Sequence, residues 1–182
     1  MFCVSDLAAK PFLIRRVLAA GFQGVFPEHR TTILDSGGYQ VLKTGRFVMP
    51  LGELTALCQR AKPSLVISLD RPIVGELRPG AAKRIVDQNV CAYANMVRKL
   101  GSSMVVPVVH GQELELVANQ CERYAAEASP PMVCLGGNVP FFKGLTRNSR
   151  YGKDGQEQLN LARQFIARIA GVRKVFPHTP IH

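Results

Sequence analysis

Four apolar runs in this sequence end on residues that can hold a proton or bring the backbone close to a ligand. Asp35 closes "TTILD", Asp70 closes "SLVISLD" and His110 closes "SMVVPVVH", while Gly136 and Gly137 close "PMVCLGG". A carboxylate at a strand end can take a proton, accept hydrogen bonds from a base edge, or stabilise developing positive charge. A lone Asp more often starts a turn or caps a helix. Asp35 stands apart because Ser36, Gly37, Gly38, Tyr39 and Gln40 follow it directly. Paired glycines let the backbone turn tightly or approach a ligand. Tyr39 offers a flat ring with a polar tip, suited to stacking on a heterocycle or to ordinary rim packing. His110 can donate to a carbonyl oxygen or move a proton near neutral pH, and a structural histidine bonded to a neighbour is an equal expectation. Gly136 and Gly137 would present backbone N–H groups to a ligand or simply permit a bend.

Other chemistries are poorly supported. Ser36 lies in no GxSxG elbow and has no identifiable base. His178 and His182 have no third ligand beside them, so no metal is expected there. The five cysteines (Cys3, Cys58, Cys91, Cys121, Cys134) form no CxxC pair and no zinc spacing with histidine. They read as reduced thiols of a cytoplasmic protein, mostly filling core. No GxGxxG or GxxxxGK[ST] loop opens a helix.

The four runs are apolar and β-branched at consecutive positions, as in strands of a parallel sheet buried on both faces. Helical patterns lie among them: "PLGELTALCQRAK", "PGAAKRIVDQNVCAYANMVRKLG" between Pro79 and Gly101, "ELELVANQCERYAAEA", and "GQEQLNLARQFIARIAG", expected to end at Gly171. Strands alternating with helices indicate βαβ units. From Val139 to Gly155 the chain has no period. It carries Lys143, Arg147, Arg150 and Lys153 against one acid, Asp154, and reads as a basic loop. No repeat or linker divides the chain, so one domain over residues 1–182 is expected. Polar residues at successive strand ends are how a (β/α) barrel builds its site. The expected fold is α/β, a TIM-type (β/α) barrel that is incomplete at this length, with an open α/β sheet as the alternative.

Lys and Arg total 23 against 13 Asp and Glu, a formal net charge of +10. That favours a polyanionic partner, nucleic acid being the commonest, although the cations are scattered along the chain. Asp6, Lys10, Arg15 and Arg16 interrupt the N-terminal stretch, so a signal peptide is not expected. Nothing approaches the roughly 20 apolar residues of a membrane span.

In order along the chain, "DSGGYQ", "SLDRP", "VVHGQ", "LGGNVP" and "FPHTPIH" resemble the tRNA-guanine transglycosylase family. "DSGGYQ" is the specific motif; the others gain weight from order and spacing. The spacing of Asp35 and Asp70, with "LDRP" and "GGNVP", is similar to archaeal-type members. The resemblance implies a (β/α)8 barrel that exchanges guanine in nucleic acid for a 7-deazaguanine by double displacement. tRNA is the implied substrate, with DNA as runner-up. By this resemblance Asp35 is the acid/base, Ser36 and Tyr39 contact the base, and Tyr39 stacks on it. Asp70 binds its N1–H and amino edge, and Gly136 and Gly137 present backbone groups. His110 stands where the family usually has Gln. The family's attacking Asp and its zinc site lie beyond a stretch like "PIH" and have no match here, so a truncated or diverged member is expected, with no cofactor within this chain. A non-catalytic base- or nucleic-acid-binding remnant is the alternative. Self-association or a partner chain would cover the sheet edges of a partial barrel.

Overall fold

The computed structural model describes residues 1–73, 77, 80–111, 113–136 and 155–182, without the side chains of residues 155–158 and 161. Gly137 and the basic loop with Lys143, Arg147, Arg150 and Lys153 lie outside the described residues.

The chain folds as a mixed α/β structure on a small parallel sheet. Its strands are β1 (Phe2–Cys3), β2 (Ile33–Asp35), β3 (Leu65–Ile67), β4 (Val105–Val106), β5 (Val108–Val109) and β6 (Cys134–Leu135). The described helices are α1 (Val4–Ala8), α2 (Pro11–Val25), α3 (Gly38–Thr44), α4 (Leu51–Ala61), α5 (Ala81–Leu100), α6 (Leu114–Glu127) and α7 (Gly155–Val175).

Strand order follows chain order. β1 pairs with β2, β2 with β3 and β3 with β4, all parallel, with Cys3 opposite Asp35 and Ile67 opposite Val106. The expected single strand at "SMVVPVVH" is two, split at Pro107. A proline has no N–H for a ladder, so the run changes partner there. β4 faces β3, whereas β5 pairs with β6, Val108 opposite Cys134 and Val109 opposite Leu135. The Pro107 carbonyl still accepts a bond from the Cys134 amide at 2.9 Å. Past β6, Val133 bridges in parallel to Ile181.

The runs are apolar on consecutive positions because both sheet faces are covered. Leu34, Val66, Val105, Val109 and Leu135 pack into the core under the helices. Ile67, Val106, Val108 and Cys134 point the other way and cluster with one another and with Ile33, Leu65 and Met132. Helices pack in sequence, α2 on α4, α4 on α5, α5 on α6 and α6 on α7.

α7 runs on through Gly171 to Val175 rather than stopping there. A helical glycine costs only about 1 kcal/mol against alanine. At Gly171 the bare backbone packs on α6, a β-carbon there lying 3.4 Å from Val117, and the next residue, Val172, is fully buried. The elements before β2, and the short helix α3, have no counterpart in the sequence patterns. Cys58, Cys121 and Cys134 are buried, as filler should be, and burial pushes each thiol up to about 12. Among the described residues no helix is long and apolar enough to cross a membrane.

Candidate functional site

Parallel pairing brings the C-terminal ends of β2, β3, β5 and β6 to one side of the sheet, and the sequence-selected residues meet there. The chain leaves β2 at Asp35, whose carboxylate accepts the Gly37 amide at 3.2 Å. Gly37 takes a left-handed conformation (φ 81°, ψ 30°) that side chains disfavour, and this turns the backbone straight into α3. The first residue of α3, Gly38, then lies against Asp70. A β-carbon on it would sit 2.6 Å and 2.7 Å from the two carboxylate oxygens. The two glycines therefore serve different needs, a turn and a close approach.

Asp70 is buried and satisfied mainly by His110. The His110 Nε2 lies 2.6 Å from Asp70 Oδ2, with the two side chains 2% and 7% exposed. A carboxylate only accepts, so Nε2 carries the proton of this bond. Ser36, also buried, donates to the Ser68 carbonyl at 3.0 Å and approaches Asp70 Oδ1 at 3.4 Å. The His110 ring lies close against Gly136, where a β-carbon would collide with Cε1 and Nδ1. His110 Nδ1 and Ser68 Oγ are buried without a hydrogen-bond partner among the described residues.

Two carboxamides that the sequence reading did not select hold this cluster from behind. Asn89 of α5 accepts from the Arg71 amide at 2.8 Å and donates to the Arg71 carbonyl at 3.0 Å. Gln120 of α6 accepts from the His110 amide at 3.0 Å and donates to the His110 carbonyl at 2.6 Å. Each side chain thus replaces a missing strand neighbour at a strand end, where backbone groups would otherwise be buried unpaired. A signal existed: both are polar residues on the core stripe of their helix, Asn89 beside Val86, Val90 and Tyr93, and Gln120 beside Val117, Cys121 and Tyr124. Arg168 of α7, also buried, donates to the Gly136 carbonyl at 2.8 Å.

No family model and no curated protein matches the chain.

Asp35 has the other character. It is half-buried, and burial pushes its carboxyl above the usual range, aided by the charges of Asp70 and Asp6, while the Gly37 amide and the Cys3 side chain oppose the shift. Tyr39 is 44% exposed, with the Lys43 ammonium 5.0 Å from its ring centre. The structure therefore brings Asp35, Ser36, Asp70, His110 and Gly136 together and leaves Tyr39 at the rim. His178 and His182 are exposed, and the His182 backbone pairs with Val133 and Leu135. Among the described residues no three His, Cys, Asp or Glu side chains are grouped to hold a metal.

Proposed function

We infer that this chain is a guanine-transglycosylase-like protein that exchanges guanine for a 7-deazaguanine base in tRNA. The observation that carries the reading is the convergence at one sheet end of Asp35, Ser36, Asp70, His110 and Gly136, which come from four separate segments. Strand order without reversal and an apolar cluster on the sheet face away from the helices support a (β/α)-barrel layout over a doubly wound sheet.

In this reading the purine enters beside Asp35 and Tyr39. Burial favours the protonated form of Asp35, so its carboxyl is suited to give the departing base a proton. The resemblance gives the base edge to Asp70, whose Oδ1 would meet it only once Ser36 and Gly38, which now lie against the carboxylate, give way. Exchange also needs an attacking carboxylate, to which the resemblance assigns no residue of this chain. A second reading, base binding without exchange, is favoured by the Asp70–His110 bond, which already occupies one of the oxygens that would meet a guanine edge.

Incorporation of radiolabelled guanine into tRNA, with duplex DNA in parallel, tests the first reading. Incorporation into tRNA that is lost in Asp35→Asn is expected. Calorimetric binding of guanine with no incorporation into either nucleic acid selects the second reading; neither binding nor incorporation removes both.

A further inference from the structure

α3 is the one described helix that sends no side chain into either apolar cluster. Its Val41 is buried but joins neither, and its Leu42 is exposed. The chain on both sides of it is anchored: Leu34 lies in the core, and Phe47, Met49 and Leu51 pack against that core. A helix that adds nothing to the core uncovers little apolar surface when it lifts, so its opening lies at the low end of the stability range.

Each end of α3 carries a glycine in the left-handed region, Gly37 (φ 81°) at the start and Gly45 (φ 71°) at the finish. Glycine follows backbone rotations that a side chain would resist, which suits the ends of a moving segment. No atom lies within 4 Å of where a Gly45 β-carbon would be, so that end has room to turn. Among the described residues one hydrogen bond ties an α3 side chain to another element: Gln40 Nε2 donates to Ser5 Oγ of α1 at 3.2 Å. The Thr44 hydroxyl stays within its own segment and donates to the Gln40 carbonyl at 2.9 Å. What the helix covers is the Asp70 carboxyl, with Gly38 lying against both oxygens.

We propose that α3 is a lid over Asp70, latched by the Gln40–Ser5 bond and hinged at Gly37 and Gly45, and that it lifts before the edge of a purine can reach the Asp70 carboxyl. In the closed position His110 holds Oδ2 and the Gly38 backbone blocks both oxygens. Lifting removes the Gly38 contact. Ser36 precedes the hinge and has the Ser68 carbonyl as its closer acceptor, so it can leave Oδ1 without losing a partner. Binding is then limited by the fraction of chains whose lid is open, and loosening the latch speeds it in proportion. The inference rests on the proposed function in taking the ligand to be a purine, but its first measurement is made on the free chain.

The experiment follows amide hydrogen exchange by NMR on the full chain without ligand, in low concentrations of urea. Exchange in α3 should be nearly independent of urea, whereas exchange at Val90 and Tyr93, buried in α5, should rise with it, because only global unfolding exposes them. Gln40→Leu and Ser5→Ala each remove one half of the latch and should speed α3 exchange about fivefold. Ser5 belongs to α1, so its effect is not one of helix propensity within α3. Gly38→Ala, whose β-carbon would sit 2.6 Å from an Asp70 oxygen, should speed it about tenfold. The two latch variants keep the test decisive if Gly38→Ala fails to fold. Stopped-flow association of guanine should be about fivefold faster in the latch variants than in the wild type. A urea slope in α3 equal to that at Val90 and Tyr93 overturns the proposal, as do wild-type α3 exchange rates in both latch variants. Guanine association at the wild-type rate in these variants overturns it too. The expected exchange pattern without guanine binding by any of the proteins leaves the lid standing and defeats the proposed function.

Discussion

Asp35 and Asp70 end neighbouring strands on the same side of one sheet, yet their surroundings give them opposite characters. Asp70 is enclosed: His110 holds one oxygen, Ser36 approaches the other, and Gly38 closes over both. Asp35 is half-exposed, accepts the amide of its own turn, and is pushed by burial toward the protonated form. The surroundings divide the two acids into one enclosed by its partners and one half-buried at its own turn. If that division is right, substitutions around Asp70 should cost stability, whereas substitution at Asp35 should change mainly pH dependence.

The largest effect is expected from His110→Ala. It leaves the buried Asp70 without its main hydrogen-bond partner, and a buried polar group left unsatisfied costs about 1–3 kcal/mol, more for a charged one. Urea denaturation near neutral pH reads this directly. Asp70→Asn should cost clearly less, because its amide oxygen still accepts from His110 Nε2. Equal losses in the two variants would mean that packing, and not the hydrogen bond, makes this end of the sheet rigid.

Gly136→Ala comes next. Its β-carbon would occupy the space of the His110 ring, so the ring must swing away from Asp70. Overpacking of this kind costs about 1–3 kcal/mol. On a His110→Ala background Gly136→Ala should cost less, leaving only the contact of its β-carbon with Val108. Full additivity in the double variant would separate the Gly136 contact from the Asp70–His110 pair.

The difference between the two acids was only partly legible in the sequence. The strands were readable because parallel strands covered on both faces need consecutive apolar residues, as in "LVI" and "VVPVV". Their polar ends were readable for the same reason, since chemistry-bearing residues interrupt an otherwise apolar run. Which acid His110 would face was not readable. That depends on strand order, which sets the His110 run beside β3, whose end carries Asp70, and not beside β2, whose end carries Asp35. β1 escaped notice because two residues make no pattern, although it places Cys3 next to Asp35. α3 escaped because its entry is a left-handed glycine with no side-chain cap. The Asn89 and Gln120 clamps were visible as polar breaks in helical stripes, but their targets depend on how each helix packs back on its strand.

The smallest effect concerns Asp35 itself and has a defined sign. Its carboxyl is raised in the folded chain, first by burial and then by the charges of Asp70 and Asp6. The folded state therefore holds this proton more tightly than the unfolded state does. The stability that follows is fully present below the ordinary aspartate value of about 3.9 and is lost as pH rises through the raised value. Asp35→Asn removes that loss while keeping an oxygen for the Gly37 amide. The variant should be more stable than the parent near pH 7, by an amount small beside the His110→Ala loss, an advantage that fades toward about pH 4. Paired urea curves at the two pH values measure it. Asp6→Asn, at an exposed position, sharpens the result: it removes one of the charges raising Asp35, so the gain from Asp35→Asn should shrink in its presence. An advantage that stays constant with pH would mean that Asp35 is ionised as readily in the folded chain as in the unfolded one, and the contrast with Asp70 would then be one of burial alone.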